Sequence, residues 1–341
     1  MSLRFRRVVR MVACRARLKV VLALGIWLII GSAGAADQIP LRVNVFPTAK
    51  ILAMFVGLDK GVFAKHGLRV EVQYTENSAR QREGLAAGAF EIAQSAVDNA
   101  VAMVETAGKD VVIVMGISSG MNEFIVQPDI RSAADIRGRT LVVDAPNTAY
   151  ALVARKILLK HGLKDGADYS MKSIGRGEYR VKAMLENKEY AAGVLNPPFS
   201  IQAVQQGLKS LGRTVDLLGP YQADGAFVMR AWAQANGPTL ERYLAAYVES
   251  LRWALQPANR SECVVMLAER LKLTREVAER TYQLLADPAF GLTPDARLDL
   301  EGFKNLLALR AEVEGQAGNV PPPEKYLDLS YHQRAVTALT K

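Results

Sequence analysis

The sequence predicts an α/β fold of two similar lobes, each a mostly parallel sheet flanked by helices, with a helical C-terminal region. Three observations predict it. Strand and helix patterns alternate from Leu41 to Gly116 and begin again at Leu141. The word Lys-His-Gly-Leu closes the first helix of each series, at Lys65 to Leu68 and at Lys160 to Leu163. From about Thr239 only helical periodicity remains. Strands that alternate with helices form parallel sheets with helices on both faces.

In the first series Leu41 to Val45 reads as a strand ended by Phe46-Pro47-Thr48. A helix follows from about Lys50 to Lys65, and Gly67 is placed to take a left-handed cap conformation. Arg69 to Tyr74 is a strand, Ala79 to Ala87 a helix behind Asn77 and Ser78, and Glu91 to Gln94 a short strand. A helix from Ser95 through Met103 leads to the apolar strand Val111 to Gly116. In the second series Leu141 to Asp144 is a strand, ended by Ala145-Pro146-Asn147-Thr148. A helix runs to about Lys160, Tyr169 to Ile174 is a strand, Glu178 to Asn187 a helix and Ala191 to Leu195 a strand. Pro197-Pro198 opens another helix, and Thr214 to Leu218 reads as a last strand. The two units sharing one word at one position are consistent with a duplication.

Leu240 to Leu255 presents Leu240, Tyr243, Leu244, Tyr247, Leu251 and Leu255 at helical spacing. Ser261 to Leu271, Thr274 to Leu285 and Leu300 to Glu314 read the same way, with Thr274 as an N-cap. Gly318 to Pro323 breaks the pattern before the tail.

The charge of the chain points first toward nucleic acid. Its 341 residues include 43 Lys+Arg and 34 Asp+Glu, for a net charge of +9, and such basicity suits a polyanion. The placement of the charge removes that reading. Arg4, Arg6, Arg7, Arg10, Arg15, Arg17 and Lys19 precede an uncharged apolar run, Val20 to Ile30, with small residues from Gly31 to Ala36. This is the order of a secretory signal peptide, residues 1–35, cleaved before Ala36. The run is short of the ~20 apolar residues that cross a bilayer. Without these seven charges the net charge falls from +9 to +2, so no nucleic-acid partner is expected. Cys14 leaves with the signal and Cys263 remains alone, so no internal disulfide is expected and the core must hold the fold.

Catalytic signatures are sparse. The sequence has no GxSxG, GxxxxGK[ST], HExxH or CxxC motif. His66 and His161 stand at helix ends, where a donor side chain suits the last carbonyls. No catalytic residue, metal or cofactor is therefore expected. What recurs is polar and aromatic side chains at the carboxyl ends of strands, the rim where open α/β sheets bind ligands. The ligand-binding candidates are Phe46, Thr48, Asn77, Ser78, Ser95 and Asp98 in the first lobe, with Gln94 beside them. In the second lobe they are Asn147, Thr148, Tyr150, Arg176 and Asn196, with Glu178 and Tyr179 nearby.

Several words, in order along most of the mature chain, resemble the periplasmic solute-binding proteins of nitrate, sulfonate, taurine and thiamine-precursor uptake. They are Asp59-Lys60-Gly61-Val62-Phe63-Ala64-Lys65-His66-Gly67-Leu68-Arg69-Val70-Glu71, then Gly84-Leu85-Ala86-Ala87-Gly88-Ala89-Phe90-Glu91-Ile92-Ala93. Ser132 to Val143, Asn196-Pro197-Pro198 and Pro323 to Tyr331 complete the set. The resemblance implies a two-lobed periplasmic binding protein of type II. Residues 36–125 would form the first part of lobe 1, 126–221 lobe 2, and 222–341 the return to lobe 1 with the C-terminal helices. The chain would cross near Phe124–Pro128 and Tyr221–Phe227. It further implies a monomer in the periplasm that binds a small-molecule solute between hinged lobes and delivers it to the membrane permease of an ABC transporter. The alternatives are an enzyme on the same fold, of the pyrimidine-precursor synthase or chorismate-lyase type, and a ligand-sensing partner of a membrane receptor. Arg176 suits an anion, and Phe46, Tyr150 and Tyr179 suit an aromatic or heterocyclic solute.

Overall fold

The computed structural model describes residues 38–340, so the signal-peptide reading of residues 1–35 lies outside the described part. Two five-stranded mixed sheets carry the molecule. The first is built from β1 (Ile39–Val45), β2 (Leu68–Tyr74), β3 (Ile92–Ala96), β4 (Val111–Ser118) and β10 (Asp224–Met229), in the order β2-β1-β3-β10-β4. The second is built from β5 (Glu123–Val126), β6 (Thr140–Val143), β7 (Ser170–Ser173), β8 (Tyr190–Leu195) and β9 (Lys209–Arg213), in the order β7-β6-β8-β5-β9.

The two sheets obey one rule. In each, the first strand of the unit pairs in parallel with two others. In each, one antiparallel strand is inserted that has just arrived from the other sheet: β5 after the first crossing, β10 after the second. The repeated word is the same structure twice. His66 and His161 are both helix C-caps, and Gly67 and Gly162 take φ of 73° and 72°, which only glycine adopts without strain.

The crossings lie earlier than the sequence suggests. The chain leaves the first sheet at Ser118 and enters the second at Glu123, then returns between Arg213 and Asp224. Phe124 to Val126, expected to be crossing, is a fully buried strand, because three large apolar residues fit between β8 and β9 better than they fit solvent. Thr214–Leu218, expected to be a strand, is a helix, and the strand is Lys209–Arg213. Short apolar runs are ambiguous in period, and here Asp216 in the first turn, bonded to Arg213 Nε at 2.7 Å, favours the helix. The first long helix also divides. Gly61 at φ 66° separates Leu52–Asp59 from Val62–Lys65.

The C-terminal region is helical, as its periodicity predicts. Gly237–Leu255 buries Leu240, Tyr243, Leu244, Tyr247 and Leu251, with Tyr243 stacked on Phe63 at 5.6 Å. Thr274 caps Arg275–Leu285 by accepting from the Val277 N–H. Leu300–Val313 does not belong to the first lobe alone. Its Phe303, Leu306 and Leu307 share one buried cluster with Ala93 and Val97 of the first lobe and Leu141 and Leu152 of the second.

Candidate functional site

The carboxyl ends of the parallel strands of both sheets face one cavity, with about 570 Å³ of empty space including its mouth. From the first lobe come Phe46 after β1, Thr48 and Lys50 in the following turn, Ser78 after β2, Ser95 at the end of β3, and Asn99. From the second come Asp144 after β6, Thr148 and Tyr150 at the start of helix Ala149–Lys160, Arg176 and Arg180 at helix Gly177–Glu186, and Asn196 after β8. Asp224, at the start of β10, completes the wall.

Eight of the eleven sequence candidates line this cavity: Phe46, Thr48, Ser78, Ser95, Thr148, Tyr150, Arg176 and Asn196. Three do not. Asn77 is a cap, accepting from the Arg80 N–H at 2.9 Å. Asp98 is buried against Arg310, whose Nη1 lies 2.8 Å away. Asn147 sits exposed at φ 56° and accepts from Arg155 Nη1. Each is a strand-end polar residue whose backbone position serves a turn or helix start, which composition alone does not separate from a ligand contact.

Lys50, Asn99, Asp144, Arg180 and Asp224 are missed by the sequence reading. Two left a signal. Arg180 follows Arg176 by four residues, hence shares its helix face. Lys50 is a lone cation in the apolar run Ala49 to Val56. Asp224 left none, because only the second crossing brings it here.

The polar side chains form a connected network. Ser78 Oγ donates to Asp144 Oδ2 at 2.7 Å across the cleft, and Thr148 Oγ1 donates to Asp144 Oδ1 at 2.6 Å. Asn99 Nδ2 donates to Ser95 Oγ and Ser78 Oγ at 3.2 and 3.3 Å. Lys50 pairs with Asp224 and donates to Asn122 Oδ1 at 2.9 Å. Burial works against the Lys50 ammonium, but Asp224 and Tyr150 together outweigh it and hold the lysine above its ordinary pKa. Burial lowers the pKa of Arg180, offset in part by Asp144, and a guanidinium stays charged regardless. The Tyr150 ring has the Arg180 guanidinium 5.2 Å and the Lys50 ammonium 5.9 Å from its centre. Burial raises the Tyr150 hydroxyl, which therefore remains a donor and reaches Asn196 Oδ1 at 3.1 Å.

The donors are not all used. Arg176 Nε and Arg180 Nε are buried without a partner, and so is Nδ2 of Asn122, which bonds Lys50 from behind the wall. Both Asp144 oxygens are bonded. A buried donor left unmade costs ~1–3 kcal/mol, so an acceptor brought within reach of Arg176 or Arg180 would be favoured. No histidine or cysteine lines the cavity. Among the described residues no cluster of three or more His, Cys, Asp or Glu is placed to hold a metal.

Known proteins share this fold. A protein of Brachyspira hyodysenteriae named "Putative ABC transporter periplasmic binding protein" is 24% identical over 238 residues, which is 64% of this chain and 66% of that protein. The periplasmic nitrate-binding protein of Synechocystis PCC 6803 superposes with a TM-score of 0.72 at 16% identity, covering 90% of each chain. The alkanesulfonate-binding protein of Xanthomonas axonopodis pv. citri, bound to MOPS, gives 0.67 at 16% identity, covering 84% of this chain and 96% of that one. Two mixed sheets around a rim cleft make this the fold of the periplasmic binding proteins. The chain belongs to the NMT1-like family, which matches residues 34–268.

Proposed function

We propose that this chain is the extracytoplasmic solute-binding component of an ABC-type importer. It holds a small organic solute that bears an oxyanionic group between its two lobes and delivers it to a membrane permease. One observation carries the class of solute: the buried donors without partners around the cavity, Arg176 Nε and Arg180 Nε foremost, with no buried acceptor on the wall left unmade. Phe46, Ile51 and Tyr150 offer apolar surface for the rest of the molecule. The nitrate- and sulfonate-binding proteins of the same fold support an anion. The lining residues include neither an imidazole nor a thiol.

The test is mass spectrometry of the solute released from freshly purified protein, followed by thermal shift with the compound identified. Saturation at a hundred times Kd adds about 2.7 kcal/mol of stability. Arg176→Gln removes a hydrogen bond to a charged group, worth ~1.5–3 kcal/mol, so affinity falls about tenfold or more. Arg176 keeps a quarter of its side chain exposed, so the melting temperature without solute stays close to that of the parent protein. A released solute with no oxyanionic group, or turnover of the compound, would overturn the reading.

A further inference from the structure

Lys50 is 4% exposed and lines the cavity. Its ammonium touches both places where the chain passes between the sheets. It donates to Asn122 Oδ1 at 2.9 Å. Asn122 is the last residue before β5, and its carbonyl accepts the Thr214 N–H at 2.8 Å. Lys50 also pairs with Asp224, the first residue of β10. Asp224 Oδ2 accepts from Ser118 Oγ at 2.9 Å, and Ser118 is the last residue of β4. The two crossings run side by side, since the Ala223 N–H donates to the Ser118 carbonyl at 3.0 Å. On the far side the Tyr150 hydroxyl meets Asn122 Oδ1 at 3.5 Å and Asn196 Oδ1 at 3.1 Å. A polar path Asp224–Lys50–Asn122–Tyr150–Asn196 therefore runs from one lobe, through the crossings, to the other.

We infer that Lys50 is the positioning residue that couples the cavity to the hinge. An ammonium has three N–H donors. Two are held by groups on the two crossings, and the cavity is within reach of the third. Rotation of one lobe on the other shifts Asn122 against Asp224, and the buried ammonium opposes it, because stranding either partner of a buried ion pair is strongly unfavourable. A solute that draws on the same ammonium changes the bonds at both crossings at once. The inference goes beyond solute capture and does not depend on which solute is bound.

The experiment reads lobe separation with no solute added, so its failure is distinct from failure of the solute reading. Spin labels go on Glu83→Cys in helix Ser78–Ala86 and Lys182→Cys in helix Gly177–Glu186, both exposed. Cys263 is buried, and burial pushes its thiol up to about 12, so it takes no label. Distances come from double electron–electron resonance. The parent protein should give one narrow distribution. Lys50→Met should lower the melting temperature and move the distribution to longer, broader distances. Lys50→Met/Asp224→Asn removes both charges, so stability should return while the distribution stays long and broad. A merely structural Lys50 predicts that both return together, and that result overturns the inference. So does a Lys50→Met distribution equal to the parent's, or a parent distribution already as broad. Should Lys50→Met not fold, Asn122→Ala leaves the ion pair in place and must broaden the distribution by itself.

Discussion

His332 shows how one buried side chain writes a pH dependence into the stability. It lies in helix Ser330–Ala338, 8% exposed, with Nε2 2.6 Å from the Asp295 carbonyl. Burial lowers its pKa, the carbonyl and the Asp295 carboxylate act the other way, and Arg297 adds to the lowering. A histidine depressed on folding favours the neutral form. Its contribution is complete above the ordinary histidine value of about 6.5 and is lost as pH falls through that value toward the folded one. The Asp295 carboxylate, bonded to Arg252 Nε at 2.7 Å and held below the ordinary carboxylate range chiefly by that bond, weakens only at lower pH. Between pH 7.5 and 5 the melting temperature should therefore fall less steeply for His332→Gln than for the parent protein. Parallel pH profiles would show that His332 is not the group responsible.

At the scale of elements, the inserted strand β10 and its neighbour β4 leave little room. Gly225 of β10 stands opposite Gly116 of β4. A Cβ on Gly225 would lie 2.5 Å from the Met115 carbonyl oxygen, and one on Gly116 would lie 2.3 Å from that of Arg297. Both obstacles are backbone, so neither relaxes cheaply. Gly225→Ala should cost ~1–3 kcal/mol or more through overpacking, seen as a lower denaturant midpoint at unchanged slope. A midpoint within error of the parent's would mean that β10 shifts freely, against the register described. The same strands mark where sequence reading stops. β1, β4 and β6 announce themselves through apolar runs bounded by Pro, Gly or Asn, and the paired Lys-His-Gly-Leu caps reveal the two units. Nothing local says that Asp224 to Met229 lies between β3 and β4, because that placement depends on a partner about a hundred residues away. Asp224 was unreadable as a cavity residue for this reason, whereas Ser78, Thr148 and Arg176 were readable because a strand end and a helix start sit beside each of them.

At the scale of the molecule, the two sheets are separate but their packing is not. Ala93 and Val97, Leu141 and Leu152, and Phe303 and Leu306 belong to one buried cluster. Two lobes that share a core should unfold together. Calorimetry should show one transition with equal calorimetric and van't Hoff enthalpies. Phe303→Ala, at a fully buried position, should lower that transition by ~3–5 kcal/mol without splitting it. Two resolved transitions would mean that the lobes are energetically independent.

The strand order has a consequence for the sequence of events in folding. The second sheet is made only of residues between Glu123 and Arg213, so its pairings can close within one stretch of chain. The first sheet cannot, for β3 and β4 have no contact in the sheet until Asp224–Met229 has come between them. Pairings that span more chain form later. The N-terminal sheet is thus completed after the one that follows it in sequence, and a chain emerging from its N-terminus holds its first strands unfinished until two thirds of its length is present.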